Sequence, residues 1–237
     1  LSANYKAKSL DNFLFKDIQL RGIPNHYKNQ SYVFEFNNLN SFYKLMKKKN
    51  FSAVIMEVER NIRPNISFLK SIRKFCTQNK IVLIFDECSS GFREVFGGIH
   101  KKYKVYPDMA MFSKSIGNGY PITVLAGRSE FLNESFNTFV SSTYWSERIG
   151  PTAALATINE MERLKSWKLI VKKGNYIKNK IFKLSKKYKI NLKLNDSLSI
   201  INFKIFGKYD HVVYKNYISQ EMLKKNFICN DTIYVSV

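Results

Sequence analysis

Cysteine, histidine, acidic residues and long apolar runs are all scarce in this sequence, and each scarcity excludes a class of protein. The three cysteines, Cys76, Cys88 and Cys229, are far apart and match neither a metal-ligand spacing nor a disulfide framework. This spacing is best explained if the cysteines are reduced thiols of a cytoplasmic protein. No run approaches the roughly 18 consecutive apolar residues of a membrane helix, and the N-terminal stretch lacks the apolar core of a signal peptide. We therefore expect no membrane partner.

Acidic residues are outnumbered: 18 Asp and Glu face 39 Lys and Arg, a formal net charge of +21. Lys and Arg neutralise phosphates, so a basic module that binds nucleic acid or another polyanion is one hypothesis. However, 31 of these residues are Lys and only 8 are Arg, which is the better bidentate reader of phosphate and guanine. The lysine pairs are also scattered. We therefore expect a solvated lysine-rich surface and no specific nucleic-acid partner.

Hydrophobic residues make up 45% of the chain and aromatic residues 15%, which excludes a disordered protein. Apolar runs at 51–58 and 81–85 are typical of strands buried on both faces, and helical spacing joins them over 65–79. The chain thus contains a βαβ unit. Further predicted strands cover residues 32–36, 109–112 and 122–126, and a further helix covers residues 40–49.

The C-terminal third changes pattern. Helices are predicted over 147–164 and 166–188, and a strand, a helix and a strand over 198–206, 212–226 and 227–237. The fold class is α/β, a mostly parallel sheet with helical cover, followed by the start of a small α+β C-terminal domain. We expect a partial large domain over residues 1–164 and a connecting helix with a partial small domain over 165–237.

Three polar residues follow predicted strands, where ligands bind in open α/β sheets. Glu57 lies near the end of the predicted strand 51–58, and Asp86 comes at the end of the predicted strand 81–85. Lys114 follows the third strand and precedes a glycine-rich turn. Residue type alone leaves two readings open, an ion pair between Asp86 and Lys114 or a ligand site.

Three longer motifs surround this pair: IVLIFDECSSGFR, PDMAMFSKSIGNGYPI and SSTYWSERIGPTAALATI. With them, the chain resembles the class III pyridoxal-phosphate-dependent aminotransferases, and within them the branch of glutamate-1-semialdehyde aminomutase. The resemblance is sustained over about residues 51–162 and is weaker elsewhere. It implies the fold type I of pyridoxal-phosphate-dependent transferases.

The resemblance implies a role for several residues. Lys114 matches the lysine that forms a Schiff base with pyridoxal 5'-phosphate and then moves the substrate proton, and we expect it to be buried. Asp86 matches the carboxylate that pairs with the pyridine nitrogen. Thr143 matches the threonine that binds the cofactor phosphate, in this family across a homodimer interface, and Ser142 is a neighbouring candidate.

Other matches are less specific. Cys88 lies where an aliphatic residue of the family packs on the ring, although its residue type favours a small buried apolar residue. Ser89 replaces a longer polar side chain near the ring hydroxyl. Glu57 matches a glutamate that supports the site or pairs structurally.

Local structure accounts for the remaining polar motif residues. Glu147 and Arg148 read as an ion pair at a helix start. Gly117 and Gly119 serve the tight turn after the lysine.

The implied activity is transfer of an amino group from a small-molecule amino donor to an oxo acceptor. The alternative within the family is glutamate-1-semialdehyde 2,1-aminomutase, which moves the group within one molecule. Relatives carry, before the equivalent of Leu1, a phosphate-binding loop and a ring-stacking aromatic residue that this sequence does not show. We therefore expect this fragment by itself to bind cofactor poorly and to be inactive.

Overall fold

The computed structural model describes residues 30–59, 61–144 and 146–237. It divides the chain into two compact units, with the division between Phe51 and Ser52. The predicted boundary between residues 164 and 165 stays a prediction. Residues 1–29 of the predicted large domain lie outside the described residues, as does Trp145 of the SSTYW motif.

Helix α1 (Leu39–Met46) lies in the first unit and confirms the helix predicted there. Asn38 caps it, because its side chain accepts a hydrogen bond from the Ser41 N–H at 3.0 Å. The strand predicted over 32–36 is not formed. Its backbone bonds the start of α1 instead, with the Glu35 N–H donating to Ser41 Oγ at 3.0 Å.

The second unit is built on a four-stranded sheet in the order β1-β2-β3-β4. Its strands are β1 (Ala53–Glu57), β2 (Val82–Asp86), β3 (Met109–Phe112) and β4 (Val124–Gly127). The first three run parallel, and β4 is antiparallel to β3. The mostly parallel sheet predicted from the apolar runs is therefore confirmed.

Helix α2 (Ile66–Gln78) connects β1 to β2 and packs against β2. Asn65 caps its N-terminus by accepting a hydrogen bond from the Ser67 N–H at 3.1 Å. Its buried face consists of Phe68, Leu69, Ile72 and Cys76, of which the last three lie at the helical spacing read from the sequence.

The two faces of the sheet are covered unequally. Leu83 and Phe85 of β2 are fully buried, but Ile55 of β1 is 51% exposed. The prediction that β1 is buried on both faces is therefore wrong for the described structure, because β1 is an edge strand and Ile55 lies on its open face.

Helices and a second sheet complete this unit. The helices are α3 (His100–Tyr103), α4 (Ser129–Leu132), α5 (Ile149–Leu164), α6 (Ser166–Lys187) and α7 (His211–Leu223). The sheet is antiparallel in the order β5-β6-β7, with strands Asn191–Leu194, Ile200–Phe206 and Thr232–Tyr234. Strand β5 was not predicted. None of the described helices has the length and apolar composition needed to cross a membrane.

Ile170 of α6 packs on the second sheet. It forms a buried cluster with Ile201 and Val235, and Ile177 and Ile181 of the same helix pack against that cluster. The side of α6 that carries these isoleucines is therefore the side that faces this sheet.

Asp108 connects strand β2 to Arg73 of helix α2 and to Arg128, which follows strand β4. Its carboxylate is buried and accepts hydrogen bonds from the Leu83 N–H at 2.8 Å and from Arg73 Nη1 at 2.9 Å. Arg128 Nη1 lies 3.2 Å from the other oxygen. Burial raises the pKa of Asp108, but the hydrogen bonds and the charge of Arg73 outweigh it and hold the pKa below its ordinary value.

We expect Asp108→Ala to lower the free energy of unfolding by about 2–4 kcal/mol, because it leaves a buried N–H and Arg73 without their acceptor. The pKa of Asp108 is lower in the folded state than in the unfolded state. Its stabilisation is therefore present above about pH 4 and is lost as the pH falls through the folded value.

Urea denaturation at a series of pH values measures this effect. The matched control is Glu130→Ala, which removes an exposed partner of Arg128 and should cost no more than about 0.5 kcal/mol. Equal losses for the two variants at neutral pH would contradict the prediction.

Candidate active site

Polar side chains follow the carboxyl ends of three neighbouring strands. Glu57 ends β1 and Asp86 ends β2, and the two are partners in the parallel register. Asp86 is in turn the partner of Met111 on β3, and Lys114 lies two residues beyond the end of that strand. Because these strands are parallel, the sheet brings Asp86 and Lys114 to one edge.

The Asp86 carboxylate is half-buried, and its Oδ1 atom accepts a hydrogen bond from the Cys88 N–H at 3.0 Å. Burial, the hydrogen bond to Asp86 and the Asp86 charge raise the pKa of the Cys88 thiol from 9.0 to about 11. The thiol is therefore neutral at physiological pH, and Cys88 is suited to packing rather than to nucleophilic chemistry.

Lys114 begins a single 3₁₀ turn over Lys114–Ile116, and its backbone has φ of +50°. This left-handed conformation is uncommon for residues other than glycine and occurs at functional sites. The Lys114 carbonyl accepts hydrogen bonds from Gly117 and Asn118 N–H, both at 3.2 Å. A side chain at Gly117 would meet the Tyr120 carbonyl oxygen at 2.2 Å, so this position serves the turn.

The Lys114 amine donates a hydrogen bond to Ser89 Oγ at 2.7 Å. The expectation that Lys114 is buried is wrong for the described structure, in which it is exposed. The residue lies at the open edge of the sheet and lines a cleft of about 470 Å³, which explains its exposure. Arg93, Asn118, Thr157 and Tyr234 line the same cleft.

The segment after β2 is anchored by Glu87, which is fully buried. Its carboxylate accepts hydrogen bonds from Ser90 Oγ at 2.6 Å and from the backbone N–H groups of Ile99 and His100, both at 3.0 Å. The His100 ring nitrogen Nδ1 lies 2.9 Å from the same carboxylate. These contacts hold residues 87–100 as a closed loop.

The predicted phosphate-binding residues lie in the exposed segment before α5. Thr143 and Ser142 are exposed, and Ser142 Oγ accepts a hydrogen bond from the Tyr144 N–H at 3.3 Å. Within the described part of the chain, neither makes a hydrogen bond to Asp86 or Lys114. Their role stays a prediction.

Glu147 and Arg148 do not form the predicted ion pair in the described structure. The Glu147 carboxylate instead accepts the backbone N–H groups of Ile149 and Gly150 at the start of α5. These N–H groups have no partner within the helix, so a carboxylate satisfies them well.

Sequence reasoning missed two residues of the loop after β2. Arg93 Nε donates to the Ser89 carbonyl at 2.8 Å, and its guanidinium lies 5.8 Å from the centre of the Tyr234 ring. Glu94 is buried and bonds residues 197–199. Arg93 belongs to the motif IVLIFDECSSGFR, and this motif was the signal that could have identified it. Glu94 had no such signal, because the residues 197–199 that it bonds are about 100 residues away.

The described residues contain no group of His, Cys, Asp and Glu side chains that could hold a metal ion.

The profile of the class-III aminotransferases matches residues 10–214, and the chain belongs to that family. It is 30% identical over 214 residues to a glutamate-1-semialdehyde 2,1-aminomutase of Methanosphaera stadtmanae, covering 86% of this chain and 50% of the relative. It is 32% identical over 165 residues to a 3-aminobutyryl-CoA aminotransferase of Cloacimonas acidaminovorans, covering 65% of this chain and 39% of the relative. The chain thus spans half or less of these relatives' length.

Solved structures share the fold. The FumI protein of Sphingopyxis sp. MTA144, a PLP-containing structure, superposes with a TM-score of 0.83 at 18% identity, over 91% of this chain and 54% of that one. An omega-transaminase from Sphaerobacter thermophilus gives 0.79 at 16% identity, over 91% and 55%. The fold is therefore type I of the pyridoxal-phosphate-dependent transferases, as predicted.

We expect Asp86→Asn to lower the pKa of the Cys88 thiol, because it removes the negative charge that disfavours the thiolate. The pH dependence of Cys88 alkylation, followed by mass spectrometry of its peptide, measures the shift. Cys229 is the internal control, since Asp231 and not Asp86 acts on it, and its profile should not move. A Cys88 profile unchanged in the variant would contradict the arrangement of Asp86 and Cys88.

Proposed function

We propose that this chain is part of a pyridoxal-phosphate-dependent aminotransferase that moves an amino group between a small-molecule amino donor and an oxo acceptor. The observation that carries the proposal is the placement of Asp86 and Lys114 on neighbouring strand ends, in a chain of this family. The Lys114 amine is exposed to a cleft large enough for a small molecule.

The donor set of the site fits this cofactor. Asp86 offers a carboxylate to a protonated ring nitrogen, and Lys114 offers a primary amine to an aldehyde carbon. Cys88 lies between them in the chain as a neutral packing group. Thr143 and Ser142 offer hydroxyl donors for the phosphate. When bound, the cofactor supplies an electron sink for the negative charge that develops at the substrate carbon.

The chain's own residues hold the reactants and move the proton. Asp86 Oδ1 is held by the Cys88 N–H, so the carboxylate keeps a defined orientation. Lys114 Nζ would take the proton released from the substrate carbon and later give it back, acting first as a base and then as an acid. Ser89 Oγ, 2.7 Å away, orients that amine between the two transfers.

The proposal places this protein in the cytoplasm as a homodimer, with the phosphate site shared across the interface. Large exposed apolar side chains near Thr143 support an interface there: Phe136 is 87%, Phe139 97% and Tyr144 77% exposed. Specific nucleic-acid binding forms no part of the proposal, and a steep salt dependence of polyanion affinity would argue for that other function.

Lys114 is the residue whose loss should be decisive. Incubation of the intact protein with pyridoxal 5'-phosphate and reduction with borohydride should leave a covalent adduct on the Lys114 peptide in mass spectrometry. Lys114→Ala should lose that adduct, and transamination should fall by at least about 100-fold. Lys180→Ala, an exposed surface change, is the matched control. Modification spread over surface lysines, with none at Lys114, would contradict the proposal.

An aminomutase remains the second candidate, because the Methanosphaera relative carries that name. The two activities differ in their need for a second substrate. Turnover that depends on a separate amino donor supports the aminotransferase, whereas isomerisation of glutamate semialdehyde without any donor would replace it by the aminomutase.

A further inference from the structure

The segment 89–94 touches the Lys114 turn at one end and the C-terminal part of the chain at the other. At the first end, Lys114 Nζ donates to Ser89 Oγ at 2.7 Å, and Ser115 Oγ donates to the Gly91 carbonyl at 2.6 Å. The turn that carries the amine is therefore held by two hydrogen bonds from neighbouring residues to one loop.

At the other end, Glu94 binds the residues that precede β6. Its Oε1 atom accepts hydrogen bonds from the Leu198 N–H at 2.7 Å and the Ser199 N–H at 3.1 Å. The hydroxyls of Ser197 and Ser199 lie 3.1 and 3.2 Å from the same atom. Four donors thus converge on one oxygen of a buried carboxylate, which is a strong, directional attachment.

Hydrogen bonds inside the segment connect the residue next to Glu94 with Ser89. Arg93 Nε donates to the Ser89 carbonyl at 2.8 Å, so the residue next to Glu94 is bonded to the residue that holds Lys114. The Gly91 N–H donates to the Glu87 carbonyl at 2.8 Å, and Glu87 is itself held by its buried contacts. A shift at Glu94 therefore reaches Ser89 through bonded groups.

We propose that Glu94 is a positioning residue: it couples residues 197–199 to the Lys114 amine through the segment 89–94. The catalytic meaning of this coupling rests on the proposed function of Lys114. The contact itself does not, because it is made by groups of this chain alone. Glu94 acts on Lys114 through Arg93, its neighbour in the chain and a residue of the cleft, and through Ser89.

Two variants separate the hydrogen bonds of Glu94 from its charge. Glu94→Ala removes the acceptor, whereas Glu94→Gln keeps an oxygen in the same place and loses the attraction to Lys102, whose Nζ lies 3.6 Å from Oε2. A role that depends on the acceptor geometry is rescued by glutamine.

The matched control is Asp196→Ala. The Asp196 carboxylate accepts a hydrogen bond from the Arg63 N–H at 3.0 Å and so ties the same C-terminal turn to a different loop. This change removes a contact of the same turn but leaves the four hydrogen bonds to Glu94 and the segment 89–94 in place.

The readout is the acetylation rate of Lys114 by trace acetic anhydride, measured without cofactor in the intact protein and normalised to exposed Lys204. In Glu94→Ala we expect the rate to rise about two- to tenfold, the equivalent of one net hydrogen bond. The rate in Glu94→Gln should remain close to that of the natural protein. Asp196→Ala should not change the rate, even where it lowers the melting temperature as much as Glu94→Ala does. Should Glu94→Ala fail to fold, Ser197→Ala with Ser199→Ala removes two of the four donors and should raise the rate in the same direction.

A rate in Glu94→Ala equal to that of the natural protein would overturn the proposal, as would equal rises in Glu94→Ala and Asp196→Ala. In a protein that already carries Ser89→Ala, Glu94→Ala should not raise the acetylation rate further, because both changes break the same path from Glu94 to Lys114. Fully additive effects of the two changes would also overturn the proposal. Absence of a Lys114 cofactor adduct would contradict the proposed function alone, since the acetylation rate requires no cofactor.

Discussion

The carboxylate of Glu87 has no solvent contact and is satisfied by the Ser90 hydroxyl, two backbone N–H groups and the His100 ring. A buried charge without such partners would cost several kcal/mol, so the loop 87–100 has little freedom to adopt another path. Gly98 permits this closure, because a side chain there would lie 2.3 Å from the His100 ring. The residues on either side of Glu87 are therefore held in place together with it.

Those neighbours are the residues of the candidate active site. Asp86 precedes Glu87 and ends a strand whose parallel register aligns it with Glu57 and Met111. Ser89 follows two residues later and meets the Lys114 amine across the sheet edge. One buried carboxylate and two parallel strand pairings thus bring Asp86 and Lys114 to the same end of the sheet, although they lie 28 residues apart in sequence. The proposed chemistry depends on where the Asp86 carboxylate and the Lys114 amine lie in the folded protein and not on their separation in the sequence.

Much of the site could be read from the sequence because its signals are local. Asp86 ends an apolar run, and Lys114 stands between a strand and a glycine-rich turn, so periodicity and turn residues place both at strand ends. Their roles at a cofactor are what the resemblance of the surrounding motifs to the family implies. Arg93 and Glu94 could not be assigned in this way. Their partners Tyr234 and Ser199 are more than 100 residues away, and no spacing rule connects such residues. Strand β5 was missed because its Asn-Leu-Lys-Leu pattern is short and weakly apolar.

The sequence by itself determined the strands β1 to β3, the long helices that follow them and the motifs that resemble the family, because these depend on residues along one segment. Only the tertiary structure decided that β4 runs antiparallel, that Ile55 lies on an open face and that Lys114 is exposed. It also decided that Glu94 bonds residues 197–199. The reason is physical: exposure and long-range hydrogen bonds depend on which distant surfaces meet, and that information is spread over the whole chain.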